Sequence, residues 1–385
     1  MDNPFLFGKI VTGEHFCNRE AENRLLKENL KGGQSMVIIS PRRMGKSSLL
    51  AVVTTQLENV GIRCGRVDYF ALKSISKVVG ETVRVCAELM LRQESSMKRF
   101  LSLTGNVFKR TRIAIEPSPD GSGFSIKPTI SLPVEIRESL TEAILGLDLF
   151  MGKKGKKGVL VMDEFQEITD LDNGKSRVLE AEFRTIIQST KNLSFAFLGS
   201  KASVLSEMFT GRKRPFFQAA KIMELGPIDA KSLRKYIQTR FKSVGLVIEH
   251  PELILELTHG HPDYTQRLCS HLYDLVSPST KSSNRIEPHE TLLQEAMARM
   301  IEACLLIFIP EWENYTFRQQ QVLSLLAEYG PLKRVPAIHL AEYEMSHTTY
   351  NSALKDLVKK GTIKVNPEGH YELTDPIFSR WIKRH

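Results

Sequence analysis

The stretch Val37-Ile38-Ile39-Ser40-Pro41-Arg42-Arg43-Met44-Gly45-Lys46-Ser47-Ser48-Leu49-Leu50 reads as a strand, a turn and a helix in that order. β-Branched residues run up to Ser40 and suit a buried strand, while Leu49, Leu50, Val52 and Val53 give the next segment an apolar helical face. Against the phosphate-loop pattern G-x-x-x-x-G-K-[ST], the chain fits from Gly45 onward and carries Ser40 where the first glycine stands. Pro41 explains the departure: it pushes Ser40 into an extended conformation, so that residue ends a strand and needs no positive φ. Pro41 also removes one amide from the cradle. The amides of Arg42, Arg43, Met44, Gly45, Lys46 and Ser47 are left to face an anion at the positive end of a helix that continues through Ser48. Gly45 lets the backbone come close, Lys46 carries charge to the β- and γ-phosphates, and the Ser47 hydroxyl is the expected Mg²⁺ ligand.

A Gly-Lys-Ser after an apolar run also recurs by accident, so the second half of the pattern matters. It is Gly158-Val159-Leu160-Val161-Met162-Asp163-Glu164, an apolar strand that ends in two adjacent carboxylates. Asp163 would hold Mg²⁺ through water, and Glu164 would take the proton from an attacking water. A strand ending in solvated acids is the plainer alternative. The unbroken apolar-or-glycine run before the pair, and the phosphate loop upstream, favour the catalytic one. Leu193 to Lys201 is a further buried-strand pattern finishing on small polar residues. Strand carboxyl ends face the ligand crevice of a parallel sheet, which places Ser200 or Lys201 to sense the γ-phosphate or its water, or simply in a turn. Gly211-Arg212-Lys213-Arg214-Pro215 is either a solvated basic loop or the source of an arginine finger, with Arg214 the candidate.

At 385 residues the chain has room for two or three domains with ordinary cores. A hydrophobic fraction of 42% and a charged fraction of 25% are those of a soluble globular protein. The longest apolar run, Ala303 to Pro310, falls far short of a membrane span, and Met1-Asp2-Asn3-Pro4-Phe5 does not open a secretory signal. Cys17, Cys64, Cys86, Cys269 and Cys304 are scattered, with no C-x-x-C pair or zinc-finger spacing, as suits buried thiols in a reducing cytoplasm. The formal charge of +9 permits contact with nucleic acid or anionic lipid without requiring it. Part of the excess sits in Lys153-Lys154-Gly155-Lys156-Lys157, a solvated loop by its composition.

The pattern along the chain predicts an α/β phosphate-loop domain over residues 1–227. Within it, helical periodicity runs from Ser74 to Leu103. Alternation around a Pro-Ser-Pro-Asp-Gly-Ser-Gly cluster marks a β-hairpin inserted at about 105–135. Beyond Gly226-Pro227 the β pattern stops, and helices at Ala230 to Phe241, Pro251 to Thr258, Pro262 to Val276 and Pro288 to Phe308 compose a helical lid over 228–312. Inside it His259-Gly260-His261-Pro262 joins two helices. It is either a plain interhelical turn or a helix amino terminus, with His261 and Pro262, that reports on a bound nucleotide. Residues 313–385 read as three helices and a two-stranded wing, that is, a winged helix whose third helix presents His347, Thr348, Thr349, Asn351, Ser352 and Lys355.

The order of these parts resembles a known group. The Arg19-Glu20 helix, the Ser-Pro-Arg-Arg-x-Gly-Lys-Ser loop, the Asp163-Glu164 strand, the Gly199-Ser200 strand end, the Gly-His-Pro turn and a terminal winged helix look like the prokaryotic "archaeal ATPase" family. That family lies in the STAND branch of AAA+-like P-loop ATPases and is similar to the initiator ATPases of replication origins. The resemblance implies ATP or ADP with Mg²⁺ as ligands, slow hydrolysis, a nucleotide-dependent switch and an arginine sensor near Arg212 to Arg214. It also leaves room for DNA on the winged helix, or for a protein partner or a second copy of the chain. The alternative is a winged-helix DNA-binding protein in which the nucleotide is mainly structural; against it, the third helix carries no arginine, the usual reader of guanine edges.

Overall fold

The computed structural model describes residues 2–93, 112–117, 124–129, 133–171, 176–276 and 284–384. These fall into two compact units, one of residues 20–40 and 49–225, the other of residues 1–19, 41–48 and 226–385.

The first unit is α/β. In chain order its elements are α1 (Glu20–Gly32), β1 (Met36–Ile39), α2 (Lys46–Asn59, whose first residues belong to the other unit), β2 (Arg63–Asp68), α3 (Ile75–Leu91), β3 (Arg112–Pro117), β4 (Phe124–Thr129), α4 (Pro133–Lys153), β5 (Gly158–Asp163), α5 (Ser176–Ser189), β6 (Leu193–Gly199), α6 (Ala202–Thr210) and β7 (Lys221–Glu224). Five strands make one sheet in the order β2-β5-β6-β1-β7, every pairing parallel. Parallel strands covered on both faces need continuous apolar sequence, and β5 and β6 are buried at every residue. Below the sheet Phe165, Phe183, Phe197, Phe209 and Phe216 pack ring on ring, with Phe165 4.8 Å from Phe197 and 5.3 Å from Phe216. A buried carboxylate fixes where β6 starts: Asp148 of α4 accepts from the amides of Lys191, Asn192 and Leu193 at 3.0, 2.7 and 3.0 Å. The inserted hairpin is present as the antiparallel pair β3–β4. Helix α3 stops at Leu91, and residues 94–103 of its expected extension lie outside the described residues.

The second unit contains α7 (Ala230–Ser243), β8 (Val247–Ile248), α8 (Glu252–Thr258), α9 (Pro262–Val276), β9 (Arg285–Ile286), α10 (Glu290–Glu313), α11 (Phe317–Tyr329), α12 (Ala337–Glu342), α13 (His347–Lys360), β10 (Ile363–Val365), β11 (Tyr371–Leu373) and α14 (Pro376–Ile382). The helical region and the carboxyl-terminal elements share one apolar core, which also takes in Phe5. Helices α11 to α13 followed by the antiparallel β10–β11 hairpin give the order of elements expected from the sequence. Local signals set their limits: Thr316 and Gln319 form a capping box on α11, Ser346 caps α13, and Gly361 ends α13 in a left-handed turn at φ +77°.

Two differences from the expected pattern have physical causes. Helix α10 runs past Phe308 to Glu313 despite Pro310, because Trp312 packs at 6.0 Å against Trp381 and 6.5 Å against Phe378 of α14. Helix α14 itself was not expected; Asp375 caps it and Pro376 opens it. No helix among the described residues is long and apolar enough to cross a membrane. All five cysteines are free thiols, and burial pushes the pKa of Cys17 and of Cys64 up to about 12.

Candidate nucleotide site

Ser40 closes β1 and is buried, and the loop of residues 41–48 follows in the chain. Arg43 and Gly45 both have left-handed backbone, at φ +61° and +85°, an alternation that turns successive amides toward one concave side. For Arg43 the conformation is strained; at Gly45 it is free of steric cost, and no atom lies within 4 Å of where a Cβ would stand. That open space beside the loop backbone, at the amino-terminal end of α2, fits a phosphate group. The Lys46 ammonium lies back over the loop and donates to the Pro41 carbonyl at 3.0 Å. Ser48 Oγ accepts from the Val11 amide at 3.0 Å, tying the amino-terminal arm to the loop. Arg19, 4% exposed and itself left-handed, donates to the carbonyls of Met44 at 3.2 Å and Gly226 at 2.6 Å. This buried cation braces the loop from behind. Sequence reasoning had placed Arg19 only as part of a preceding helix.

Within the same unit the loop adjoins the start of α9. His259 and Gly260 both turn left-handed, and a Cβ on Gly260 would come within 2.7 Å of the Ile228 carbonyl, so the turn requires glycine. His261 is buried, packs at 4.4 Å on the Tyr264 ring, and hydrogen-bonds the Arg42 backbone. Burial holds its pKa below the ordinary imidazole value; Asp375, Asp263 and the Arg42 bond oppose the shift. After Pro262, the Asp263 carboxylate faces Arg43 at 4.0 Å and Arg267 at 2.6 Å, and Arg267 lies over the Phe7 ring at 4.4 Å. Tyr264 donates its hydroxyl proton to Asp375, the residue that caps α14. His261 thus stands beside Arg42, and Asp263 beside Arg43 is a partner that no pattern in the sequence announced.

The other group of predicted residues lies at the sheet edge in the first unit. Strands β1 and β5 both pair in parallel with β6, so Ser40 and Asp163 leave the sheet at the same edge. Asp163 is buried, ion-pairs with Arg66 of β2, and accepts from the Glu164 amide at 3.0 Å. Glu164 has left-handed backbone, φ +50°, which starts a short 3-10 turn over Phe165–Asp170. Its Oε2 accepts three hydrogen bonds: from Ser200 N at 3.0 Å, Ser200 Oγ at 2.8 Å and Gln166 Nε2 at 2.6 Å. Of the two candidates at the end of β6, Ser200 therefore meets Glu164, whereas Lys201 pairs with Glu167 at 3.1 Å and Asp170 at 3.0 Å. Arg214 pairs at 2.8 Å with Glu180 of α5, a fully buried carboxylate whose pKa burial raises and Arg214 lowers. Arg212 and Lys213 are exposed. Asp163 and Ser47, each in its own unit, carry oxygen donors of the hard kind that Mg²⁺ favours.

Comparisons with known proteins agree with this architecture. The family model described as an ATPase domain predominantly from Archaea matches residues 16–268, more than half of the chain. No curated protein matches. Among solved structures, a Walker-type ATPase of Pyrococcus abyssi is similar at a TM-score of 0.67 and 19% identity, over 96% of this chain and 97% of that one. The ORC2 protein of Aeropyrum pernix, in its ADPNP–ADP complexes, is similar at a TM-score of 0.55 and 16% identity, over 94% of this chain and 91% of that one.

Proposed function

The chain belongs to the family of ATPase domains found predominantly in Archaea, and we propose that it binds Mg-ATP, hydrolyses it slowly and uses the bound nucleotide as a regulatory switch. Loop residues 40–48 would cradle the phosphates, with Lys46 on the β- and γ-groups; Ser47 and Asp163 would hold Mg²⁺. Bound there, the ion would neutralise charge on the phosphoryl oxygens. Glu164 would take the proton of the attacking water, and Ser200 orients it through the two hydrogen bonds it donates. Arg66 competes for Asp163 and would yield that carboxylate when the metal arrives.

One observation supports the switch above the others. A single chain of polar contacts runs from the loop, through Arg42 to His261 and Arg43 to Asp263, along the first turn of α9, and by Tyr264 to the cap of α14. An anion in the loop draws on Arg43, so that occupancy is felt at the carboxyl-terminal hairpin region, which we assign as the winged helix. A protein partner or a second copy of the chain would read that region. The five free cysteines suit a reducing, cytoplasmic setting. Calorimetric titration of the whole protein with ATP and ADP, with and without Mg²⁺, tests the first half; absence of binding would end the proposal. Hydrogen exchange in α14 tests the second: ATP should alter it in the parent and not in Tyr264→Phe.

A second reading, duplex DNA on the same region, draws on α13, where His347, Thr348, Asn351, Ser352 and Lys355 are all exposed. A gel shift titrated with salt separates the two. Steep salt dependence that weakens in Lys355→Ala favours DNA.

A further inference from the structure

We propose that the second unit carries a separate anion site, for a phosphate-bearing small molecule no larger than a mononucleotide, in the cleft between the α8–α9 turn and α14. The cleft encloses about 330 Å³, at the small end of the range of ligand pockets. It is lined by Arg380 of α14, Lys383 just after that helix, Lys364 of β10 and His259 of the turn, with Thr374 and loop residue Met44 as further walls.

The charge balance of this lining calls for an anion. Glu372 neutralises Lys364 at 3.0 Å. Arg380 is half-buried, yet it has no acidic partner and no hydrogen-bond acceptor among the described residues. Burial and Arg384 push its pKa below the usual guanidinium range. Five N–H donors on a planar fork are left to a ligand. The Thr374 hydroxyl is likewise buried without a hydrogen-bond partner. Unsatisfied polar atoms of this kind are costly and are normally met by water, an ion or a ligand. Burial, then Arg380, depress the His259 pKa; Glu372 opposes the shift and Lys364 adds to it. An arginine fork, a lysine and a hydroxyl lining one cleft suit a tetrahedral oxyanion, and the volume left over accommodates a sugar or a small organic group. Because the groups line a cleft of this size, they suit a small molecule better than the backbone of a duplex. Met44 lies between Arg43 and Gly45, so the occupant would touch the phosphate loop while joining the α8–α9 turn to α14.

The experiment is calorimetric titration of the nucleotide-free full chain, at fixed ionic strength, with inorganic phosphate and with AMP. The parent, Arg380→Gln, Thr374→Val and Lys46→Ala are compared, with circular dichroism confirming that each variant is folded. The parent should bind at least one of the two probes, and Arg380→Gln should weaken that binding about tenfold or more, the loss expected for a charge-assisted pair. Thr374→Val should weaken it less, and in Lys46→Ala the part of the binding that Arg380→Gln removes should remain. Displacement of phosphate by AMP identifies the occupant as a phosphate ester; binding of phosphate alone identifies the free ion. No binding by the parent, equal binding by Arg380→Gln, or loss of the Arg380-dependent part in Lys46→Ala would each overturn the proposal. So would a finding that Arg380→Gln impairs only duplex DNA binding.

Discussion

Replacing Gly199 by alanine is expected to damage the Glu164 arrangement from a position that touches no ligand. The backbone at Gly199 has no left-handed φ, so alanine costs nothing there by conformation. The added Cβ would instead stand 1.8 Å from Gln166 Oε1, 2.9 Å from its Cδ and 3.3 Å from Leu205 Cδ2. To regain an ordinary 3.4 Å contact the amide oxygen must retreat by about 1.6 Å. Gln166 is wholly buried and cannot swing into solvent, so the retreat breaks its 2.6 Å bond to Glu164. Overpacking of this size costs about 1–3 kcal/mol. The lost bond to a carboxylate adds about 1.5–3 kcal/mol, in part overlapping. The assay is urea unfolding followed by far-UV circular dichroism. Both tryptophans, Trp312 and Trp381, lie in the other unit, so their fluorescence serves as an internal control. The dichroism midpoint should fall while the fluorescence midpoint holds, and kcat should drop more than ATP affinity. Adding Gln166→Ala removes the clash and should bring the double variant back to the stability of Gln166→Ala alone. A Gly199→Ala protein as stable as the parent, or a double variant carrying the sum of both losses, would refute the reasoning.

The remaining expectations concern single groups. Lys46→Ala should lose ATP affinity by titration, whereas Glu164→Gln should bind ATP and turn it over slower by roughly 10²–10⁴-fold in a phosphate-release assay. Arg214→Ala leaves the buried Glu180 carboxylate unpaired and should cost about 3–5 kcal/mol in urea unfolding, recovered in Arg214→Ala/Glu180→Met; turnover lost at unchanged stability would instead make Arg214 the finger. Burial lowers the folded-state pKa of His261 below 6.5, so the unfolded chain binds the proton more readily. Its contribution is therefore full above pH 6.5 and is lost as pH falls below that value toward the folded pKa. Melting at pH 7.5 and 5.5 should show a smaller acid loss in His261→Gln than in the parent; His259 and His271, shifted the same way, keep the residual slope.

Local sequence carried the sheet because continuous apolar runs such as Val159 to Met162 have few other uses, and it carried helix limits where a cap or a left-handed glycine stood. Ser40, Gly45 and Asp163 were legible for the same reason: each sits where a strand or turn pattern requires it. Arg19, Arg66, Gln166 and Asp263 were not, since their roles depend on partners 25 or more residues away for Arg19, Arg66 and Asp263, or on the chance that Gly199 leaves room for an amide. Arg214 illustrates the opposite limit. Its basic neighbours suggested a finger, while the buried Glu180 that holds it stands 34 positions upstream in a helix whose periodicity reads as an ordinary amphipathic face. Helix α14 escaped notice because seven residues with two aromatic rings give too short a period to recognise, although Asp375-Pro376 was a usable start signal.

The central claim is that loop residue Ser47 and strand residue Asp163 act on one metal ion bound to one triphosphate. A double-mutant cycle on the Mg²⁺-dependent gain in ATP affinity measures this directly, using Ser47→Ala, Asp163→Asn and the pair. Shared ligation predicts that the double variant loses little more than the more damaging single one. Losses that simply add, or an ATP affinity indifferent to Mg²⁺ in the parent, would contradict it.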